Sequence, residues 1–344
     1  GAAVSVRHGD APWQQWCAGR TGYENIDGPW EEVTPATLYD LASLTKPLAT
    51  SIVAGKLVEL GKLDIDAPIE RYLAGLSGYD QGEITCRQLL SHSSGYPGWR
   101  PYYEDRAKVD REHLLCEAGR EALAHTPGTH AEYSDVGYMT LTLILEALGG
   151  ARFDVLFAEY VAEPLALRAT LFLPIGSEPT IARERIAPTS ECPWRGKLLH
   201  GEVEDDNTWA LGGVSGQAGV FSCLEDLEIL ADHLREIHRG EDGIVTSATL
   251  AKLWERQTSP EDTTWALGWD TPAPPGKGSL VGEKFSRNAV GMWGFTGTGL
   301  WFDLERDLIV ISLTNRVHPS RQASDISHFR RALHDAACAG TDVA

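Results

Sequence analysis

Apolar and polar positions alternate loosely from residue 3 to residue 18, around the turn-like stretch HGDAPW. That pattern reads as a β-hairpin. At Ala42 the period changes. Leu48, Ile52, Val53, Leu57 and Leu60 recur at three- and four-residue steps, and Gly61 stands where a C-terminal cap belongs. Pro47 fits a helix only in its first turn, where no backbone donor is lost. The helix is therefore expected to start near Ser43, with Ser43 and Lys46 one turn apart on one face.

Residues 65 to about 200 read as helices and loops. ITCRQLLSHSSGYPGW ends a helix in a Gly/Pro loop, and YMTLTLILEALGG is a helix with a glycine stop. A Gly-rich stretch, GGVSGQAGVFS, precedes the amphipathic LEDLEILADHLREIH. Four strand-like runs follow, TWALGWD, NAVGMWGF, TGLWFDL and DLIVISLTN, before a closing helix at DISHFRRALHDAAC. Strands at both chain ends with helices between them predict an α+β fold. An antiparallel sheet flanked by helices takes residues 1–64 and 205–344, and a mainly helical insertion takes 65–204, with the active site at their junction.

Composition narrows the function. The chain has 344 residues, 42% hydrophobic and 23% charged, which is ordinary for a globular protein with its own core. A net charge of −19 excludes nucleic acid and anionic membrane surfaces as expected partners, since both would repel it. No apolar run is long enough to span a bilayer. Six dispersed cysteines form no CxxC or Cys/His cluster, so buried thiols are expected and a metal site is not. The start, GAAVSVRHGD, reads as a strand and turn rather than a signal peptide. Without an initiator Met it leaves the compartment, cytoplasmic or periplasmic, open.

The candidate chemistry begins with Ser43-Leu-Thr-Lys46, the one S-x-x-K of the chain, at a predicted helix start. Free N–H donors gather there, and a desolvated Lys within reach of a Ser can take its proton. A capping Ser beside a surface Lys gives the same letters. Two other stretches add to it: Tyr133-Ser134-Asp135 before a helix, and Gly294-Phe295-Thr296 between two strand-like runs. Taken alone, Tyr133 also reads as a core aromatic, Asp135 as a helix cap and His92 as a loop brace. Asn315 and Arg316 read either as a turn or as a holder for a substrate carboxylate.

With these stretches the chain resembles the serine β-lactamase-like hydrolases: class C β-lactamases, low-molecular-weight penicillin-binding proteins and family VIII carboxylesterases. LYDLASLTKPLAT resembles their nucleophile segment, LLSHSSGYPGW a following loop, YSDVGYMTL the second motif, and GFTGTGLWFDLERDLIVISLTNRVHP the closing strands. The resemblance implies a β-lactamase/transpeptidase-like fold and a set of roles. Ser43 is the acylated nucleophile, Lys46 its base or proton shuttle, and Tyr133 the group that passes the proton to the leaving group. The N–H groups of Ser43 and Phe295, the latter following Gly294, form the oxyanion hole, and Asp135 replaces an Asn that orients the Lys. No metal or organic cofactor is implied.

The third motif departs from the family. Met292-Trp293-Gly294 stands where K-T-G or H-T-G is usual, and Glu204 and Gln217 stand where His is common. Met292 cannot attract a substrate carboxylate, and Asp135 beside Lys46 favours the ammonium form, so acidic substrates such as penicillins are disfavoured. Met292, Trp293 and Thr296 are expected at the substrate pocket, with Trp293 suiting a neutral or aromatic acyl group. The expected activity is a carboxylesterase or amidase acting on small esters, amides or peptides. A D,D-peptidase or D-amino-acid amidase, a transacylase and a catalytically silent ligand-binding relative are the competing readings.

Overall fold

The first strand of the chain finds its partner at the far end of the sequence. β1 (Ala2–His8) and β2 (Gln14–Ala18) make the expected hairpin. β3 (Tyr39–Asp40) leads into a 3-10 turn (Ala42–Leu44), a π turn (Lys46–Ser51) and then α1 (Ile52–Glu59). The expected helix is therefore continuous in course but wider than an α-helix where Lys46 and Pro47 enter it. In the computed structural model every residue is described except 24–25, 27–29, 106–109, 179, 275, 323–324 and 340–344.

The middle of the chain supplies α2 (Cys86–Leu90), α3 (Arg111–Gly119), α4 (Asp135–Gly149), α5 (Phe153–Phe157), β4 (Leu171–Phe172), β5 (Glu191–Cys192) and β6 (Lys197–Leu198). Thr85 and Gln88 close a capping box on α2, and Gly150 ends α4 in a left-handed cap at φ 78°. Then come α6 (Asp206–Ala210), β7 (Val220–Ser222), α7 (Leu224–His238), α8 (Ser247–Trp254), β8 (Val290–Trp293), β9 (Gly299–Asp303), β10 (Leu308–Thr314) and α9 (Ser327–Ala339).

The main sheet runs β2-β1-β10-β9-β8, antiparallel throughout. β1 and β10 pair in full, from Ala2 opposite Thr314 to His8 opposite Leu308. Both faces are covered, so alternate residues serve different cores. Ile309, Ile311, Leu300, Phe302, Val290 and Met292 face the large core shared with α1 and α4. Val4, Val6, Val310 and Trp301 face α9. A second small sheet, β3-β7-β4, lies under the nucleophile turn.

One expected strand is absent. TWALGWD is a tight turn held by single bridges, Trp265 to Asp270 and Asp270 to Gly291. Gly268 causes this: at φ 89° it turns back so that its N–H reaches the Leu90 carbonyl at 3.0 Å. A Cβ there would lie 2.7 Å from the Ser51 Cβ, so the close approach requires glycine.

Candidate active site

Ser43 sits in the 3-10 turn between β3 and the π turn, and three contacts shape that turn. The buried Asp40 carboxylate accepts the Ala42 N–H at 2.7 Å and the Glu204 N–H at 2.6 Å. Ala42 is thereby held at φ 47°, a left-handed conformation that disfavours any side chain. From the other side, Thr296 Oγ1 donates to the Asp40 carbonyl at 2.6 Å and Thr298 Oγ1 to the Leu41 carbonyl at 3.0 Å. These bonds tie the β8–β9 turn to the nucleophile turn. Gly294 allows the approach, because a Cβ there would run into the Leu41 carbonyl oxygen.

Lys46 is fully buried one turn beyond Ser43. Its Nζ lies 2.6 Å from Asp135 Oδ1, 2.9 Å from the Gln217 carbonyl oxygen and 3.4 Å from Ser43 Oγ. A neutral amine can donate to the two nearer acceptors and turn its lone pair to the hydroxyl. Burial holds the Lys46 ammonium below its ordinary range, against the opposing pull of Asp135 and then Asp205. Asp135 thus acts on Lys46 in the expected direction, but desolvation outweighs it.

Tyr133 comes from the start of α4, 90 residues away, and its hydroxyl lies 2.5 Å from Ser43 Oγ. Its placement follows from the residues beside it. Ser134 caps α4: its Oγ accepts the Gly137 N–H at 3.0 Å and donates to the Pro97 carbonyl at 2.7 Å. Asp135 is therefore the first helical residue, not the cap, and its carboxylate is free to meet Lys46. His92 Nδ1 accepts the Ser134 N–H at 3.0 Å, and its ring packs 4.6 Å from the Tyr133 ring. Burial, then Lys46, holds His92 well below its ordinary value, so a neutral imidazole braces the loop. Burial, reinforced by Asp135, pushes the Tyr133 phenol well above its ordinary value, while the Ser43 bond opposes this. Tyr133 stands as a neutral phenol.

These residues open onto a cavity of about 300 Å³ lined by Ala42, Ser43, Trp99, Tyr133, Asp135, Phe295 and a charged wall of Glu204, Asp205, Asp206 and Arg321. Among the described residues, neither the Ser43 nor the Phe295 N–H donates to a protein acceptor. Arg321 bonds Glu204 Oε1 at 2.6 Å and Asp206 Oδ2 at 2.7 Å, and Arg195 joins Asp206 at 2.8 Å.

Three expected pocket residues lie elsewhere. Strand alternation sends Met292 into the large core and Trp293 to the opposite face of the sheet, against Trp301, His334 and the Arg330 guanidinium. Thr296 is fully buried and held by the Asp40 carbonyl. None of the three touches the cavity, so Trp293 cannot select an acyl group there. Asn315 and Arg316 bind backbone: Asn315 Nδ2 donates to the Thr21 and Pro188 carbonyls at 2.6 and 2.9 Å, and Arg316 Nη2 to the Phe295 carbonyl at 2.6 Å. Trp99, Asp205, Asp206 and Arg321 were not anticipated. The only signal was that Trp99 closes the SSGYPGW loop and that the two acids follow Glu204 in VEDDN.

No metal-binding group of three or more His, Cys, Asp or Glu side chains occurs among the described residues. No helix among them is long and apolar enough to cross a membrane.

Known proteins share sequence and fold with this chain. A putative D-alanyl-D-alanine carboxypeptidase of Escherichia coli O157:H7 is 32% identical over 313 residues, covering 83% of this chain and 71% of its own. An N-acetylmuramyl-L-alanine amidase of Bacillus subtilis (strain 168) is 32% identical over 312 residues, covering 82% and 68%. The solved structure of EstCE1, a hydrolase with promiscuous acyltransferase activity, superposes with a TM-score of 0.76 at 19% identity over 98% of this chain and 93% of its own. A class C beta lactamase from Rhodobacter sphaeroides superposes with a TM-score of 0.71 at 23% identity over 100% of this chain and 95% of its own, and that likeness establishes the β-lactamase-type fold. The family model for beta-lactamase matches residues 1–334, almost the full length over which the sheet, the helical middle and the Ser43 cleft are built, and the chain belongs to the beta-lactamase family.

Proposed function

We propose that the protein is a serine hydrolase that forms an acyl-enzyme at Ser43 and turns over small esters or amides, with weak or no action on β-lactams. The observation that carries this reading is the contact of Ser43 Oγ with both the Tyr133 hydroxyl and the desolvated Lys46 amine. In the first step Ser43 Oγ bonds to the substrate carbonyl carbon as its proton passes to Lys46, directly or through Tyr133. The oxyanion is stabilised by the N–H groups of Ser43 and Phe295, a role supported by both residues lining the cavity. The bond to the leaving group then breaks, and Tyr133 supplies its proton. Water repeats the sequence in reverse and frees Ser43.

An ester or amide preference is supported by the cleft lining, where the Arg321 guanidinium is already paired with Glu204 and Asp206 and is not free to hold a substrate carboxylate. The relatives named for a carboxypeptidase and an amidase, and the neighbour named for promiscuous acyl transfer, make a D,D-peptidase or transacylase the alternative within the same chemistry.

Intact-mass measurement after incubation with a fluorophosphonate tests the mechanism. A single adduct is expected, lost in Ser43→Ala. No adduct with any phosphonyl or acyl probe would leave a ligand-binding relative as the reading. Faster hydrolysis of a cephalosporin than of short acyl aryl esters would overturn the ester preference.

A further inference from the structure

The Phe295 N–H shares its peptide unit with the Gly294 carbonyl. That carbonyl accepts the Gly297 N–H at 3.1 Å across the β8–β9 turn and, at 2.9 Å, Nη2 of Arg330, which reaches in from α9. Arg330 is buried. Among the described residues its guanidinium meets no carboxylate, its Nε has no partner, and its hydrogen bond goes to the Gly294 carbonyl. Burial, then Arg316, brings the Arg330 pKa down to about 10, which leaves it a cation at neutral pH. A buried cation without a counter-charge is costly, so the group it addresses matters. Trp293 covers the guanidinium at 4.4 Å and keeps water from it, as any apolar side chain there would. Arg316 makes a related bond one residue on, with Nε and Nη2 at 3.1 and 2.6 Å from the Phe295 carbonyl. That carbonyl belongs to the peptide of the Thr296 N–H, not to that of the Phe295 N–H. The Ser43 donor is built differently again. Its peptide carbonyl, that of Ala42, accepts the Thr45 N–H inside the 3-10 turn, at the start of a helical segment whose dipole favours negative charge.

We propose that Arg330 is a positioning residue of the oxyanion hole, one that aims and polarises the Phe295 N–H through the Gly294 carbonyl. The inference rests on the hydrolase reading and adds a residue to it. A trans peptide is planar, and its C=O and N–H point opposite ways. Anchoring the Gly294 carbonyl to α9 therefore turns the Phe295 N–H away from α9, and Phe295 lines the same cavity as Ser43. A charge-assisted hydrogen bond at the oxygen also draws electron density along the conjugated unit, which strengthens the donor at its other end. No helix begins at the β8–β9 turn to supply a dipole, so a fixed charge in a dry site takes that part.

The test pairs kinetics with infrared spectroscopy of the acyl-enzyme formed from a cinnamoyl aryl ester isotope-labelled at its carbonyl. The wild type is compared with Arg330→Met and Arg330→Gln, two neutral replacements, so a folding defect in one does not remove the test. Both should lose ~10–10²-fold in kcat with KM within about threefold, because the oxyanion forms only after binding. In both, the acyl carbonyl stretch should move to higher frequency, the sign of a weaker hydrogen bond, and less in Arg330→Gln, which keeps a donor. Arg330→Lys, which keeps the charge, should restore part of both readouts. A kcat within about threefold of the wild type in the neutral variants would overturn the proposal. So would a loss of kcat with the stretch unmoved, which is what a purely structural role predicts. An equal shift in Arg316→Met would overturn the route through the Gly294 carbonyl. Fluorophosphonate labelling of wild-type Ser43 separates the two levels: with labelling, these outcomes sink the Arg330 inference alone, and without it the hydrolase reading falls as well.

Discussion

Replacing Asp40 by Asn isolates the carboxylate that shapes the nucleophile turn. The side chain is 1% exposed, and burial, assisted by Glu204 and Asp205, pushes its carboxyl to about 7 from an ordinary 3.8, against two backbone N–H bonds that favour the ionised form. At ~1.4 kcal/mol per tenfold change in proton affinity, that gap is ~4 kcal/mol. The sign is fixed by which state holds the proton. Between pH 3.8 and pH 7 the folded chain keeps it and the unfolded chain releases it, so Asp40's contribution falls as pH rises and is fully lost above about 7. The Asn variant does not titrate. Its oxygen can still accept the Ala42 N–H, but its amide N–H₂ then faces the Glu204 N–H, a pH-independent loss of ~1–3 kcal/mol. The variant should therefore be the less stable protein near pH 4.5 and match or exceed the wild type near pH 8. Urea unfolding of both proteins across that range reads the difference, which should change by ~3 kcal/mol in favour of the variant. A difference constant to within ~1 kcal/mol would refute the assignment of a buried, proton-retaining carboxyl at Asp40.

Tyr133→Phe removes the hydroxyl 2.5 Å from Ser43 while leaving the ring against His92. Acylation by an aryl ester, followed by stopped flow, should slow by ~10²–10⁴-fold with little change in thermal stability. Asp135→Asn removes the charge that favours the Lys46 ammonium. The acid limb of kcat/KM against pH should move to lower pH and raise activity near pH 6, relative to pH 8, by about threefold or more; a limb that stays or moves up would exclude Lys46 as the base. Trp293→Leu should lower the melting temperature, because the ring packs on Trp301, His334 and Arg330, yet leave kcat/KM for aryl esters within about twofold. A specific rise in KM for aromatic acyl groups would return Trp293 to the pocket.

Much of the fold was legible because its signals are local. The helix after Pro47 and the Gly150 stop of α4 follow from period and cap chemistry within a few residues. TWALGWD was misread for the same reason: its composition suits a strand, but Gly268 turns it back against Ser51 and Leu90, which are distant in sequence. The helix Ser247–Trp254 is hard to read from the sequence although Thr246 caps it, because its eight residues show little over two turns of apolar pattern. At the cleft, the resemblance brought out Ser43, Lys46 and Tyr133 by motif, whereas Arg321 and Asp206 belong to no motif and meet only through tertiary contact.

Which residues could do chemistry was written in the chain itself. Ser43 and Lys46 are one turn apart whatever surrounds them, and Pro47 admits only a helix start at that point. What those groups are able to do was decided by packing. Full burial lowers the proton affinity of Lys46 despite Asp135, and strand alternation turns Trp293 away from the cavity while Asp205 lines it. The physical reason is that spacing along a chain sets identity and local period, while charge balance, desolvation and the direction a strand residue faces depend on neighbours that only the folded chain assembles.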